Sequence, residues 1–156
     1  RKRRRSCDSA RILTVTEKFQ TEGTDIMNET ENKVPVIGDP DELAKYAVRV
    51  LDERKAHDIR LIHVADQTII ADYFVVCTGT SSTHIKSLAD EVEYKLTLAG
   101  NPPRRIEGDG SSGWILLDFA SVIVHVFGQN AREFYNIEKL FRAEDEVDLS
   151  EITAEE

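Results

Sequence analysis

Residues 77–82, with the sequence CTGTSS, come closest among the residues of this chain to the pattern of an enzyme active site. A glycine that follows an apolar strand and opens a hydroxyl-rich helix can hold phosphate on free backbone amides. A P-loop would also need a Lys-Ser or Lys-Thr pair, and a cysteine phosphatase would need an arginine where the chain has Thr83. Because neither requirement is met, we predict a structural turn here.

A nucleotidyltransferase shares this glycine–serine corner, but it holds magnesium with paired carboxylates on a neighbouring strand. The strand WILLD at 114–118 offers only Asp118, which has no acidic partner two positions away. The sequence therefore favours a protein that is not an enzyme. A divergent nucleotidyltransferase-like enzyme is the alternative that stays open.

Other reactive side chains form no recognisable set of metal ligands or catalytic groups. The four histidines, at positions 57, 63, 84 and 125, include no i, i+4 pair. His125 lies between two valines, which is typical of a core or interface histidine rather than a general base. Cys77 lies in an apolar run, so we expect a buried, reduced thiol. The sequence predicts no catalytic residue, metal site or cofactor.

The formal charge of −9 is distributed unevenly along the 156 residues. Residues 1–26 have 7 Lys/Arg and 4 Asp/Glu, a net of +3, so the remainder carries −12. The chain after residue 26 is therefore too acidic to bind nucleic acid well, because phosphate contacts need Lys and Arg. We expect no sequence-specific nucleic-acid partner. Basic protein surfaces suit this acidic chain better. No apolar run approaches the roughly 18 residues that cross a bilayer, so no membrane partner is expected.

The N-terminal region allows two interpretations. Residues 1–26 are an upstream extension, with Met27 as the natural start, or the remnant of an organellar presequence, although three acidic residues from 17 to 25 argue against the second. We expect residues 1–38 to be disordered or an extension, 39–142 to form the domain, and 143–156 to form an acidic tail.

The elements that position the candidate groups follow in the order α-β-β-α-β-β-β-α. They are a helix that begins at Asp39–Pro40, strands over 59–65 and 73–78, a helix from about 82 to 99, a short strand near 105–107, strands over 114–119 and 122–127, and a helix over about 130–142. The strand at 73–78 is apolar throughout, which predicts a central position covered on both faces. The fold class is α/β (α+β), a single small domain with a mixed sheet of about five strands flanked by helices.

The predicted hairpin across Ala120–Ser121 has two different faces. Pairing of Phe119 with Val122 makes one face wholly apolar, as a core requires. The other face combines Trp114, Asp118 and His125 with further apolar residues, a mixture found at protein interfaces. A helix that covers this second face is the alternative.

The last predicted helix is divided in the same way. Its expected buried stripe consists of Phe134, Ile137 and Phe141, whereas the opposite face carries Arg132, Tyr135 and Glu138. A lone aromatic on a charged face is incidental in many proteins, but tyrosine and arginine are also enriched among interface hot spots. Burial of one Trp or Tyr covers ~150–250 Å², about 4–6 kcal/mol before ordering and desolvation costs.

Several blocks of the chain, in order, resemble the Iojap or ribosomal silencing factor family from about residue 43 to 141. They are DYFVVCTGTSS at 72–82, Glu107–Gly108, WILLD at 114–118, VIVHVF at 122–127 and REFYNIEKLF at 132–141. The resemblance implies a compact domain akin to nucleotidyltransferases but without their activity. It also implies binding to the fourteenth protein of the large ribosomal subunit, where the factor sterically prevents the small subunit from joining. Translation then falls under starvation, and organellar relatives assist assembly of the large subunit.

By motif position, the resemblance implies that Trp114 and Tyr135 contact the partner. Together with the two faces described above, the predicted partner-binding residues are Trp114, Asp118, His125, Arg132, Tyr135 and Glu138. We expect a cytoplasmic, ribosome-associated protein, with mitochondrion or plastid as the alternative, and the sequence leaves homodimer formation open.

The chain departs from the family pattern in three places. Thr83 replaces a residue that is usually basic, which puts one polar contact in doubt. Phe141 stands where tryptophan is common, and Ala120–Ser121 replaces a glycine–acid turn. The last two are expected to be local packing changes.

Overall fold

The computed structural model of the chain describes residues 35–153, so the expectations for residues 1–34, including the start at Met27, and for 154–156 lie outside the described residues. The elements are α1 (Pro40–Glu53), β1 (His57–His63), β2 (Tyr73–Thr78), α2 (Ser82–Leu98), β3 (Arg105–Asp109), β4 (Trp114–Asp118), β5 (Val122–Phe127) and α3 (Gln129–Tyr135). Short 3-10 turns follow at Gly110–Ser112, Ile137–Leu140 and Ala143–Asp145. This order confirms the predicted one.

The five strands form one mixed sheet in the order β1-β2-β5-β4-β3. Strands β2 and β5 pair in parallel, and the other neighbours pair antiparallel. As predicted, β2 lies inside the sheet and is covered on both faces. Val75 and Cys77 are buried on one face, and Phe74 and Val76 are buried on the other.

Helices α1 and α2 pack on the same face of the sheet, where they form the larger of two hydrophobic clusters. The Asp39 carboxylate accepts a hydrogen bond of 3.1 Å from the Glu42 amide, and Pro40 occupies the first turn, so α1 begins as predicted. Ser81 caps α2 by accepting from the His84 amide at 3.1 Å. None of the helices in the part of the chain from 35 to 153 has the length and apolar character that crossing a membrane requires.

The hairpin of β4 and β5 has the predicted register, since Asp118 pairs with Ile123 and the Phe119 amide donates to the Val122 carbonyl at 2.9 Å. Its turn is built from residues that turns rarely favour. Ala120 adopts a left-handed φ of 75°, which is costly for a residue with a Cβ. The Asp118 carboxylate offsets part of this cost by accepting from the Ala120 amide at 2.8 Å.

The last helix is shorter than predicted. We expected it to continue to about residue 142, but α3 ends at Tyr135 because Asn136 adopts a left-handed φ of 39°. Asparagine tolerates this conformation better than most residues, because its short amide side chain can hydrogen-bond locally. Two of the expected positions within the helix are wrong, since Phe134 is 79% exposed, whereas Arg132 is only 6% exposed. Ile137 and Phe141 are partly buried against the sheet.

The segment that we expected to form an acidic tail contacts the sheet over its described length. The Val147 amide donates to the Leu61 carbonyl at 2.8 Å, and Glu146 forms an isolated bridge with Ile62. Leu149 and Ile152 pack, partly buried, against the main core. Residues 143–153 therefore cover part of the outer edge of β1.

We predict that Cys77 resists alkylation in the folded protein, because the side chain is fully buried and burial raises the pKa of its thiol to about 12. A Cys7→Ser variant makes Cys77 the single thiol of the chain. Intact mass after iodoacetamide treatment should show no adduct in native buffer and one adduct in urea. Rapid labelling without denaturant would contradict the buried position.

Candidate protein-binding site

The sheet face opposite α1 and α2 carries a layered aromatic cluster. Register places Trp114 of β4 beside Phe127 of β5, with ring centroids 4.9 Å apart. Tyr135, at the end of α3, packs onto Trp114 with ring centroids 4.6 Å apart. Phe127 is fully buried, Trp114 is half-buried and Tyr135 is 49% exposed. The cluster therefore extends from the sheet to the protein surface. Trp114 lies between the buried ring of Phe127 and the half-exposed ring of Tyr135.

His125 lies beneath this cluster rather than at the surface, since it is only 5% exposed. The Trp114 indole Nε1 donates to His125 Nδ1 at 3.3 Å. Because an indole nitrogen can only donate, Nδ1 must accept, which leaves the imidazole proton on Nε2. His125 Nε2 is buried and has no hydrogen-bond partner among the described residues. Burial also lowers the pKa of His125 to about 4, so the ring is neutral at physiological pH.

Asp118 lies at the opposite end of β4 from Trp114 and is buried. Its carboxylate is 3.3 Å from the Arg104 guanidinium and 3.9 Å from that of Arg105. It also accepts the hydrogen bond from the Ala120 amide. These contacts give Asp118 a role in holding the β4–β5 turn. They do not bring it into the aromatic cluster.

Arg132 and Glu138 form a second group, below α3 and beside the ends of β1 and β2. The Arg132 Nε donates to the Glu138 carboxylate, and its Nη1 donates to Thr78 Oγ1 at 2.7 Å. The Asp58 carboxylate lies 3.3 Å from Arg132 Nη2. Of the six residues predicted to bind a partner, the structure thus brings Trp114, His125 and Tyr135 together. It places Arg132 with Glu138, and it leaves Asp118 apart; contact of any of them with a partner stays a prediction.

Two exposed apolar side chains, one of them in contact with Tyr135, were missed by sequence reasoning. Phe134 is 79% exposed, and its ring contacts that of Tyr135 edge-on, with ring centroids 4.9 Å apart. Leu140 is 73% exposed. A group of large apolar side chains at the surface is typical of a protein interaction site. Asn136 was an available signal for the end of α3, because asparagine is one of the residues that adopt the left-handed conformation at helix ends.

The corner at Gly79, which most resembled a phosphate site, has two of its backbone amides engaged within the fold. The Gly79 amide donates to the Phe127 carbonyl at 2.8 Å, and the Thr80 amide donates to His84 Nδ1 at 2.9 Å. A Cβ on Gly79 would lie 2.9 Å from Ile85 Cγ1, so close packing of α2 explains the glycine. These contacts agree with the predicted structural turn.

Potential metal ligands cluster elsewhere. Within residues 35–153, the carboxylates that lie close enough together to share an ion are those of Asp39, Asp41 and Glu42, at the exposed start of α1. Asp118 is not among them.

Comparison with known proteins shows similarity over nearly all of the described chain. The family model described as "Ribosomal silencing factor during starvation" matches residues 38–156, which extends past residue 141, where the sequence resemblance was expected to end. A ribosomal silencing factor from Halalkalibacterium halodurans is 33% identical over 108 residues, which cover 69% of this chain and 92% of that protein.

A mouse protein and a crystal structure are similar to the same region. The Mus musculus protein, named "Mitochondrial assembly of ribosomal large subunit protein 1", is 34% identical over 112 residues, 69% of this chain and 49% of that one. A crystal structure of a protein from Chromobacterium violaceum has a TM-score of 0.64 at 34% identity, and the match covers 66% of this chain and 86% of the other.

We predict that acidification destabilises the fold through His125. Its pKa falls from 6.5 when unfolded to about 4 when folded, so the unfolded chain binds a proton over that range and the folded one does not. Stability is therefore fully present above pH 6.5 and declines as the pH falls towards 4, by about 2–3 kcal/mol at pH 4.5 for this one group.

Urea unfolding at pH 7 and pH 4.5 measures this loss, with a His125→Gln variant as the control that cannot titrate at this position. The wild type should lose more stability than the variant between the two pH values. Equal losses would show that His125 does not stay neutral in the fold.

Proposed function

The chain belongs to the ribosomal silencing factor family, and from this premise we propose that it binds the large ribosomal subunit and keeps the small subunit from joining. We propose the fourteenth protein of the large subunit as the direct partner. The observation that carries the proposal is the contact between the Trp114 and Tyr135 rings, which are partly exposed on the sheet face that α1 and α2 leave uncovered.

Charge and shape both support a protein partner. The chain carries −9 overall, and its acids outnumber its bases outside the first 26 residues, so a basic ribosomal protein is electrostatically complementary. Trp114 is fixed from below by Phe127 and His125, so little of its side-chain freedom is left to lose on binding. An aromatic anchor of this kind commonly contributes a large share of an interface's affinity.

The proposed mechanism is steric and needs no chemical step from the protein. A domain bound on the face of the large subunit that meets the small subunit occupies the volume which the small subunit would fill. The degree of repression then depends on how long the factor stays bound. Residence time among related interfaces varies more than association rate does, and it depends on buried anchors such as Trp114 and Tyr135.

The same reasoning suggests where the protein acts. We propose that it is ribosome-associated in the cytoplasm, as expected for the bacterial relatives. A mitochondrial or plastid location is the alternative, and the name of the mouse relative supports it.

We predict that Trp114→Ala or Tyr135→Ala weakens binding to purified large subunits by roughly tenfold or more, because each removes an aromatic anchor. Co-sedimentation at several subunit concentrations gives the dissociation constant, and circular dichroism checks that the domain stays folded. Tyr94→Ala is a matched control, since Tyr94 is an exposed tyrosine on α2, on the other side of the sheet. Binding that is unchanged in both site variants would remove the proposed surface.

A role in assembly of the large subunit is the second candidate, and the name of the mouse relative favours it. Sucrose gradients of growing cells that lack the protein separate the two roles. Loss of a silencing factor should leave mature large subunits and raise the fraction of joined ribosomes in starved cells. Accumulation of immature large particles during growth would instead support the assembly role.

A further inference from the structure

Helix α3 carries the exposed part of the proposed binding surface, Phe134 and Tyr135, yet its single buried residue is Arg132. The helix has 7 residues, and isolated helices shorter than about 12 residues are marginal in water. Its neighbour Ala131 packs only partly against the sheet. The placement of Tyr135 over Trp114 therefore depends on how the Arg132 side chain is held.

The guanidinium of Arg132 joins three parts of the fold. Nη1 binds Thr78 at the end of β2, Nε binds Glu138 in the turn after α3, and Nη2 lies beside Asp58 of β1. The planar fork of arginine suits such divergent contacts, and hydrogen bonds between charged groups are stronger than neutral ones. The Arg132 side chain is 7% exposed and that of Glu138 is 19% exposed, so solvent screens this pair poorly.

Two unusual backbone conformations accompany these contacts. Asn136, with its left-handed φ of 39°, separates α3 from the 3-10 turn that carries Glu138, so that Glu138 meets the guanidinium of Arg132. Asp58 has a left-handed φ of 50° where the pairing of β1 with β2 shifts register, between His57 and Arg60. Residues other than glycine keep such conformations only when surrounding contacts compensate for the strain.

We propose that Arg132 is the positioning residue of the binding surface: the ion pairs of its buried guanidinium with Glu138 and Asp58 fix α3, so that the Tyr135 ring stays packed on Trp114. This inference rests on the proposed function and departs from the expectation that Arg132 and Glu138 touch the partner. Arg132 Nε and Nη1 donate to Glu138 and Thr78 within the fold, and the buried Nη2, which makes no hydrogen bond among the described residues, lies 3.3 Å from the Asp58 carboxylate. The effect of Arg132 and Glu138 on binding therefore passes through Tyr135.

The experiment compares Arg132→Gln and Glu138→Gln with the full wild-type chain. Trp114 is the one tryptophan in the sequence, so its fluorescence reports directly on the cluster. We expect the emission of both variants to move towards that of Tyr135→Ala, because α3 no longer holds the tyrosine ring against the indole. Arg142→Gln is the matched control: its guanidinium also pairs with two carboxylates, those of Glu144 and Asp145, but it is exposed and lies outside α3. Its emission should be that of the wild type.

Co-sedimentation with purified large subunits gives the second readout. Arg132→Gln should weaken binding by roughly tenfold, and it should add little to the loss already caused by Tyr135→Ala, since residues that act through one another are not additive. Additive losses, or weakened binding with unchanged Trp114 emission, would make Arg132 a direct contact and overturn the proposal. So would wild-type binding and emission in both variants.

Two further outcomes keep this proposal separate from the proposed function. If Arg132→Gln unfolds by circular dichroism, Glu138→Gln decides, because it keeps the side-chain shape and removes only the charge. If Tyr135→Ala binds normally, the proposed function fails, whereas the shift of Trp114 emission in Glu138→Gln still tests whether the ion pair positions α3.

Discussion

The parallel pairing of β2 with β5 is the constraint on which the other parts of this fold depend. It aligns Thr78 with Phe127, so the carboxyl ends of both strands reach the same edge of the sheet. A helix leaves from each end: α2 follows Gly79, and α3 follows Gly128. The two helices pack on opposite faces, since α2 joins the main core and residues of α3 and the following turn join the smaller cluster. One pair of strands thus positions both the helix that packs on the main core and the helix that carries the proposed binding surface.

The two faces of the sheet are stabilised by different interactions. The face under α1 and α2 is closed mostly by aliphatic side chains, whose burial needs no directional contact. The other face combines rings, an imidazole and a buried guanidinium, and each of these depends on orientation. Removing water from this face costs more free energy than removing it from the aliphatic face, but the shape of this face is better defined. That difference suits a protein that acts by occupying a place on a larger particle.

Much of the fold could be predicted from local sequence signals. The caps at Asp39 and Ser81 fixed the starts of two helices, and the continuous apolar run of β2 indicated an internal strand. The register of the β4–β5 hairpin followed from its turn length, although Ala120 is a poor turn residue. Trp114 and Tyr135 were singled out from their faces and from the family resemblance, and the structure brings the two rings into contact.

The errors arose where a contact distant in sequence outweighs a local pattern. The apolar spacing of Phe134, Ile137 and Phe141 is helical, but the chain bends at Asn136 and Glu138 meets a buried arginine. Periodicity cannot reveal that a charged residue is buried, because the carboxylate of Asp58 comes from 74 positions earlier in the chain. The packing of residues 143–153 was missed for a similar reason, since a run of acids hides the apolar positions Val147, Leu149 and Ile152 among them.

That C-terminal packing also affects how the protein behaves towards copies of itself. An open sheet has two outer strands with unpaired backbone groups, and such strands can recruit further strands and aggregate. Here Val147 and Glu146 occupy part of the β1 edge, and the β3 edge is short and carries Arg105, Glu107 and Asp109. Self-association through the backbone is therefore disfavoured at both edges. Contacts with other proteins are then left to exposed side chains, such as those around Tyr135, which can select a partner by shape.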